Sequence, residues 1–144
     1  MNIEIKKIDE QSAKEAAVLE TICFSHPWSE KAIIEEAEHG YFIVAYCDGA
    51  FAGYAGMTCV LDERGICNIA VVPSFRGNGV GKALVMALID SAKADNASVM
   101  MLEVRQSNTA AIALYEKMGF ELVGKRKNFY DAPKEDAMLY NLYF

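Results

Sequence analysis

Asn68-Ile69-Ala70-Val71-Val72-Pro73-Ser74-Phe75-Arg76-Gly77-Asn78-Gly79-Val80-Gly81-Lys82 decides how this chain is read. An apolar strand, Ile66 to Val72, is stopped by Pro73. A glycine-rich turn follows, and beyond it Ala83, Leu84, Ala87, Leu88 and Ala92 recur at helical spacing. Gly77, Gly79 and Gly81 would let the backbone aim successive N–H groups into one concavity, with Asn78 and Val80 between them. The helix opening there adds the positive end of its dipole, and a diphosphate is the natural guest of such a cradle. Arg76 and Lys82 flank it and would neutralise further charge. A turn that uses glycine for steric reasons alone is the other reading of the same residues.

Spacing excludes two better-known phosphate loops. A dinucleotide fingerprint G-x-G-x-x-G would need glycine at 82, which is Lys82. The nucleoside-triphosphate loop G-x-x-x-x-G-K-[ST] would need glycine at 76 and Ser or Thr at 83, where Arg76 and Ala83 stand. What is left is Arg76-Gly77-Asn78-Gly79-Val80-Gly81, an instance of [QR]-x-x-G-x-[GA].

Outward from the turn, the pattern predicts strands at Asn2–Ile8, Tyr41–Tyr46, Phe51–Val60, Ile66–Val72, Ser98–Val104, Phe120–Arg126 and Ala137–Leu142. Ser12-Ala13-Lys14-Glu15 reads as a capping box opening a first helix, with apolar residues at 16, 19, 22 and 23. A second helix is expected from Ser29 to Gly40. A third follows the glycine turn, and a fourth runs from Asn108 to Met118, stopped by Gly119. The order is β-α-α-β-β-β-α-β-α-β-β, an α/β fold with a mixed sheet of about seven strands and about four helices. It is antiparallel early and parallel across the β-α-β unit. Residues 1–144 are expected to form one domain, because two cores would each be too small. Ligands of such sheets bind at the carboxyl ends of strands, where the glycine turn lies.

Composition narrows the function. The chain has 14 Lys+Arg against 20 Asp+Glu, a net charge of −6, which disfavours a nucleic-acid binder and suits a basic partner. Its first residues are charged, no run could span a bilayer, and a cytoplasmic location is expected. Cys23, Cys47, Cys59 and Cys67 contain no C-x-x-C pair and read as free thiols. His26 and His39 lack metal-ligand spacing, so no metal is expected.

The combination of the glycine turn with His26-Pro27-Trp28-Ser29-Glu30, Asn68-Ile69-Ala70-Val71, Leu102-Glu103-Val104-Arg105 and Ser107-Asn108 through Ala110-Ala111-Ile112-Ala113-Leu114-Tyr115 to Gly119-Phe120 covers nearly the whole chain. It resembles the GCN5-related N-acetyltransferases (GNAT) and, among them, the bacterial ribosomal-protein alanine N-acetyltransferases. The resemblance implies the GNAT fold, acetyl-CoA as cosubstrate, direct transfer in a ternary complex, and the N-terminal segment of a small-subunit ribosomal protein as acceptor. A monomer is expected, with no direct nucleic-acid or membrane partner.

Acetyl transfer to an amine requires deprotonating the amine, holding an oxyanion and protonating a thiolate. Glu103 lies in the apolar run Val99 to Val104, where a carboxylate is costly without a task or a cation such as Arg105. The resemblance makes Glu103 the base. Tyr115 reads from spacing as a core residue, and the resemblance makes it the general acid. Asn108 reads as an N-cap or turn residue, and by resemblance it also contacts the pantetheine arm. In the family the strand holding Ile69, Ala70 and Val71 carries a bulge and parts from its parallel neighbour, so the thioester arm can add to it. Glu35, Glu36 and Glu38 form an acidic helix face that is either solvated or faces a basic acceptor. The family often has two tyrosines where this chain has Phe129 and Tyr130, in what is expected to be a loop near the acceptor. A small amine or internal lysines as acceptor, a non-catalytic acyl-CoA-binding module and a phosphate-loop kinase are the other readings.

Overall fold

The computed structural model describes residues 1–144. Its elements in chain order are β1 (Ile3–Lys7), α1 (Glu10–Cys23), α2 (Glu30–His39), β2 (Tyr41–Cys47), β3 (Ala50–Val60), β4 (Glu63–Val71), α3 (Val80–Ala94), β5 (Val99–Arg105), α4 (Thr109–Lys117), β6 (Glu121–Tyr130) and β7 (Glu135–Tyr143). The seven strands form one sheet in the order β1-β2-β3-β4-β5-β7-β6. Only β4 and β5 are parallel, joined by the single crossover helix α3, whereas the two helices between β1 and β2 return the chain antiparallel. The mixed seven-strand, four-helix architecture is the one expected.

Strand β2 shows how the sequence builds two cores from one sheet. Side chains alternate faces along a strand, so Ile43, Ala45 and Cys47 join the cluster under α3, while Phe42 and Val44 join the cluster under α1 and α2. Helix α3 contributes Val80, Leu84, Val85, Leu88, Ile89 and Ala92 to the first cluster, an i, i+4, i+5, i+8 stripe facing the sheet. Ala13, Ala16, Leu19 and Ile33 bring α1 and α2 onto the opposite face. Each fully buried Leu or Ile contributes about 1.5–3 kcal/mol, so both helical layers are held chiefly by burial.

Three local expectations are corrected. The capping box of α1 is Asp9 with Ser12, not Ser12 with Glu15: the Ser12 N–H donates to Asp9 Oδ1 (2.8 Å), and the Asp9 N–H donates to Ser12 Oγ (2.9 Å). The helix therefore starts at Glu10, a turn earlier. Strand β4 starts at Glu63, because Arg64 is buried and turns its guanidinium back onto the Leu61 and Glu63 carbonyls of the preceding turn. Asn128-Phe129-Tyr130 belongs to β6 rather than a loop, and the β6–β7 connection is Asp131–Lys134.

Candidate active site

The parallel pairing of β4 with β5 covers Glu63–Val99, Arg64–Met100 and Gly65–Met101 and then stops, although both strands continue. Just past the split, β4 pairs with β3 through a register shift. Gly56 faces Asn68 and Met57 faces Ile66, leaving Cys67 as the extra residue of a bulge. The bulge bends β4 away, and from Ile66 to Val71 its β5-facing edge has no strand partner. Both the bulge and the parting of strands, which the sequence could suggest only through resemblance, are present.

The split opens into a cleft of about 590 Å³. Ile69 lines it from β4, Glu103 from β5, and Asn108 and Tyr115 from α4. Residues 23–28, before α2, close one side, and Phe129, Tyr130, Ala132 and Pro133 close the other. His26 and Asp131 bond to each other from these two sides. Arg105 fastens the second side: its guanidinium donates to the Asp131 and Pro133 carbonyls at 2.8 Å and stacks on the Tyr130 ring.

Glu103 corrects the expectation of a desolvated carboxylate. Strand alternation turns Leu102 and Val104 into the core and Glu103 outward, where its side chain is 37% exposed. Its cation is not Arg105 but Arg126, with Nη1 3.8 Å from Oε1. Tyr115 is buried, with its ring edge-on to Phe120 at 5.7 Å between centroids. Burial, reinforced by neighbouring Tyr130, pushes its phenol up to about 12. Asn108 is the N-cap of α4, its Oδ1 accepting the Ala111 N–H at 3.2 Å, an arrangement worth about 1 kcal/mol. Cys67 lines the same cleft, but burial pushes its thiol up to about 11, so almost none of it is the nucleophilic thiolate at neutral pH.

The glycine turn lies away from this cleft, at the far end of β4. Gly77 and Gly79 have φ of +80° and +85°, and Gly79 is the N-cap of α3. An added Cβ at either would meet nothing within 4 Å, so glycine is required by backbone conformation rather than by space. Gly81 is corrected: it is the second residue of α3 and needs no left-handed dihedral. Its Cβ would face Leu114 and Val71 at ordinary contact distance. Asn78 holds the turn by donating from Nδ2 to the Phe75 and Arg76 carbonyls. The first backbone bond after the turn is Ala83 N–H to Gly79, so six consecutive N–H groups, Gly77 to Lys82, donate to no protein acceptor. That donor run fits a diphosphate. Arg76 is engaged locally, its Nε donating to the Val71 carbonyl at 3.2 Å and its Nη2 to Cys23 Sγ at 3.4 Å, while Lys82 is exposed. Ala70 is buried under α1, and Val71 lies against Gly81.

Two further residues line the cleft without having been assigned a role, Glu20 and Asn68, and a third, Tyr54, is fully buried and bonded to both. Glu20 is fully buried and accepts hydrogen bonds from Trp28, Tyr54 and Asn68. The signal that marks it is its place four residues after Ala16, on the apolar face of α1, where a carboxylate must have partners.

A split parallel pair with a backbone anion cradle at its end defines an acyl-CoA-dependent acyltransferase of the N-acetyltransferase type. The chain belongs to the Acetyltransferase (GNAT) family, whose family model matches residues 11–120. It is 38% identical over 124 residues to the Escherichia coli [ribosomal protein bS18]-alanine N-acetyltransferase, covering 84% of each chain. It is 34% identical over 143 residues to the enzyme of that name from Haemophilus ducreyi, covering 96% of this chain and 99% of that one. The crystal structure of the ribosomal-protein-S18-alanine N-acetyltransferase from Escherichia coli superposes with a TM-score of 0.91 over 99% of this chain and 94% of that one, at 34% identity. This chain is thus an N-acetyltransferase. No helix is long and apolar enough to cross a membrane.

Proposed function

We propose that this enzyme acetylates the N-terminal alanine of a bacterial small-subunit ribosomal protein in the cytoplasm, acting as a one-domain monomer by direct transfer in a ternary complex. The observation that carries the reading is the parting of β4 from β5 after Gly65 and Met101, with Glu103 and Tyr115 lining one cleft. The named relatives, which are bS18-alanine N-acetyltransferases, support the acceptor.

Acetyl-CoA supplies an acetyl group activated as a thioester. The N–H groups of Gly77 to Lys82 would hold its diphosphate, and Lys82 would add charge. Arg76 orders the turn through Val71 and reaches the phosphates from there. The free edge of β4 at Ile69, Ala70 and Val71 takes the pantetheine arm as a strand, with an amide there holding the carbonyl oxygen, and Asn108 contacts the arm from α4. Glu103 takes the proton of the acceptor ammonium, directly or through water, from a position open enough to pass it to solvent. Tyr115 keeps its proton at every physiological pH and offers it to the departing sulfur. The same apolar surroundings that raise the phenol also raise the basicity of a thiolate, which keeps donor and acceptor matched. The chain's acidic balance favours approach of a basic ribosomal protein.

The test is an acetylation assay on peptides with different N-terminal residues, with mass spectrometry locating the added group. Preferential modification of an N-terminal α-amine on alanine is the expected result. Modification of lysine side chains or of small amines alone would overturn the acceptor, and tight acetyl-CoA binding without turnover on any amine would overturn the enzymatic reading.

A further inference from the structure

Glu20 is the one carboxylate of the chain that is completely buried, and no cation neutralises it. Three donors from three elements serve it instead. Its Oε1 accepts the Trp28 backbone N–H at 2.8 Å; its Oε2 accepts the Tyr54 hydroxyl and the Asn68 side-chain amide, the latter at 2.8 Å. Burial pushes this carboxyl up, and the three donors pull the other way.

What the three donors belong to gives the network its meaning. Asn68 directly follows the Cys67 bulge and directly precedes Ile69, so it sits where β4 bends from β5. Tyr54 anchors the group to β3, in the middle of the sheet. Trp28 ends the segment that forms one wall of the cleft, immediately before Ser29 caps α2. The other side-chain hydrogen bonds of this wall, His26 with Asp131 and Cys23 with Arg76, engage exposed residues and are worth little each. A link through a buried carboxylate holds position more firmly, because Glu20 is closed to the water that would otherwise replace its partners.

We propose that Glu20 is a positioning residue that fixes the acceptor wall of the cleft, through Trp28, against the strand that receives the thioester, through Asn68. This rests on the acetyl-transfer reading of the cleft. The wall bonds to the glycine turn at its Cys23 end, through Arg76, whereas Glu20 holds its Trp28 end, so the residue governs how the amine is presented rather than how the coenzyme is held.

Two readouts test it together: steady-state kinetics with an N-terminal alanine peptide, and acrylamide quenching of Trp28, the only tryptophan in the chain. Glu20→Gln turns one acceptor oxygen into a donor and leaves a conflict with one of the three partners. The peptide KM should rise roughly tenfold, the scale expected when a reacting group is displaced by a fraction of an ångström, with the acetyl-CoA Kd within about twofold. Trp28 should become more accessible to quencher. Glu20→Gln combined with Asn68→Asp should restore both values, because the new amide can donate to the new carboxylate while its carbonyl still accepts the Trp28 N–H. An unchanged peptide KM with unchanged quenching in the single variant overturns the proposal. So does a parallel loss of peptide and coenzyme affinity that the double variant does not repair, which makes Glu20 a determinant of folding only. If Glu20→Gln is insoluble, Tyr54→Phe removes one donor and is judged by the same measurements. Failure of the wild type to modify any alanine peptide would count against the acceptor assignment, while the quenching comparison still decides whether Glu20 holds the wall.

Discussion

Arg126 Nη1 lies 3.8 Å from Glu103 Oε1, so a guanidinium on β6 reaches across β7 to a carboxylate on β5. The arrangement poses a direct choice between a structural ion pair and a catalytic base. Both side chains are substantially exposed, and pairs of that kind are worth about 0–1 kcal/mol. Glu103→Gln is expected to lower kcat on the order of 10²–10³-fold near neutral pH with little change in acetyl-CoA affinity. Arg126→Gln should change kcat only about threefold, since it removes a rim charge and no reacting group. Equal losses in the two variants, measured by steady-state kinetics, would assign Glu103 to the ion pair.

The Tyr115 phenol is pushed up to about 12, which makes it a proton donor that does not titrate in the working range. Tyr115→Phe should slow the acetyl-transfer step on the order of 10²-fold in a rapid-quench experiment. In the wild type, loss of the acid should produce no alkaline limb in kcat below about pH 11. A limb between pH 8 and 9 that vanishes in Tyr115→Phe would contradict the placement of this phenol.

The same burial has a consequence for stability. Tyr54 and Tyr115 are both raised from an ordinary value of 10.0 by desolvation, and Glu20 raises Tyr54 further. Above pH 10 the unfolded phenols lose their protons while the folded ones keep them, so the unfolded state binds fewer protons and the fold loses stability as pH rises. For Tyr115 the loss runs from about pH 10 to about pH 12 and amounts to roughly 2 kcal/mol by its upper end. Urea unfolding between pH 8 and 11 should show this decline, and Tyr115→Phe should flatten it. A decline of the same steepness in the variant would mean that other groups cause it.

Gly79 and Gly81 separate backbone conformation from side-chain volume within one turn. Gly79→Val places a β-branched residue at φ +85° and should weaken acetyl-CoA binding at least tenfold by calorimetry, because strain of about 1–2 kcal/mol is relieved by moving the donors. Gly81→Ala has a helical dihedral and ordinary contacts, and its thermal unfolding should be at or above the wild-type midpoint. Equal coenzyme affinity in Gly79→Val would show that the turn does not cradle the diphosphate.

Much of the fold was readable because it is written in short-range terms. The aromatic and β-branched run Tyr41–Tyr46, the helical stripe after Gly79 and the stop at Gly119 each depend on residues within a few positions of one another. Where a local pattern had two solutions, the reading missed. Ser12 is a good N-cap residue, yet Asp9 stands three positions earlier, where the chain leaves β1, and it takes the role. Gly81 looks like its neighbours in the turn, but the helix has already begun there.

The site divides along the same line. Residue types and spacing determined that a glycine turn ends a strand, that Glu103 stands in an otherwise apolar strand, and that Asn108 opens the helix bearing Tyr115. Only the tertiary structure decided that β4 parts from β5 after Gly65, that Arg126 rather than Arg105 meets Glu103, and that Glu20 joins Trp28 to Asn68. Those facts depend on strand register and on groups 8 to 48 positions apart. Contacts of that range are set by packing the whole sheet, and no run of neighbouring residues encodes them.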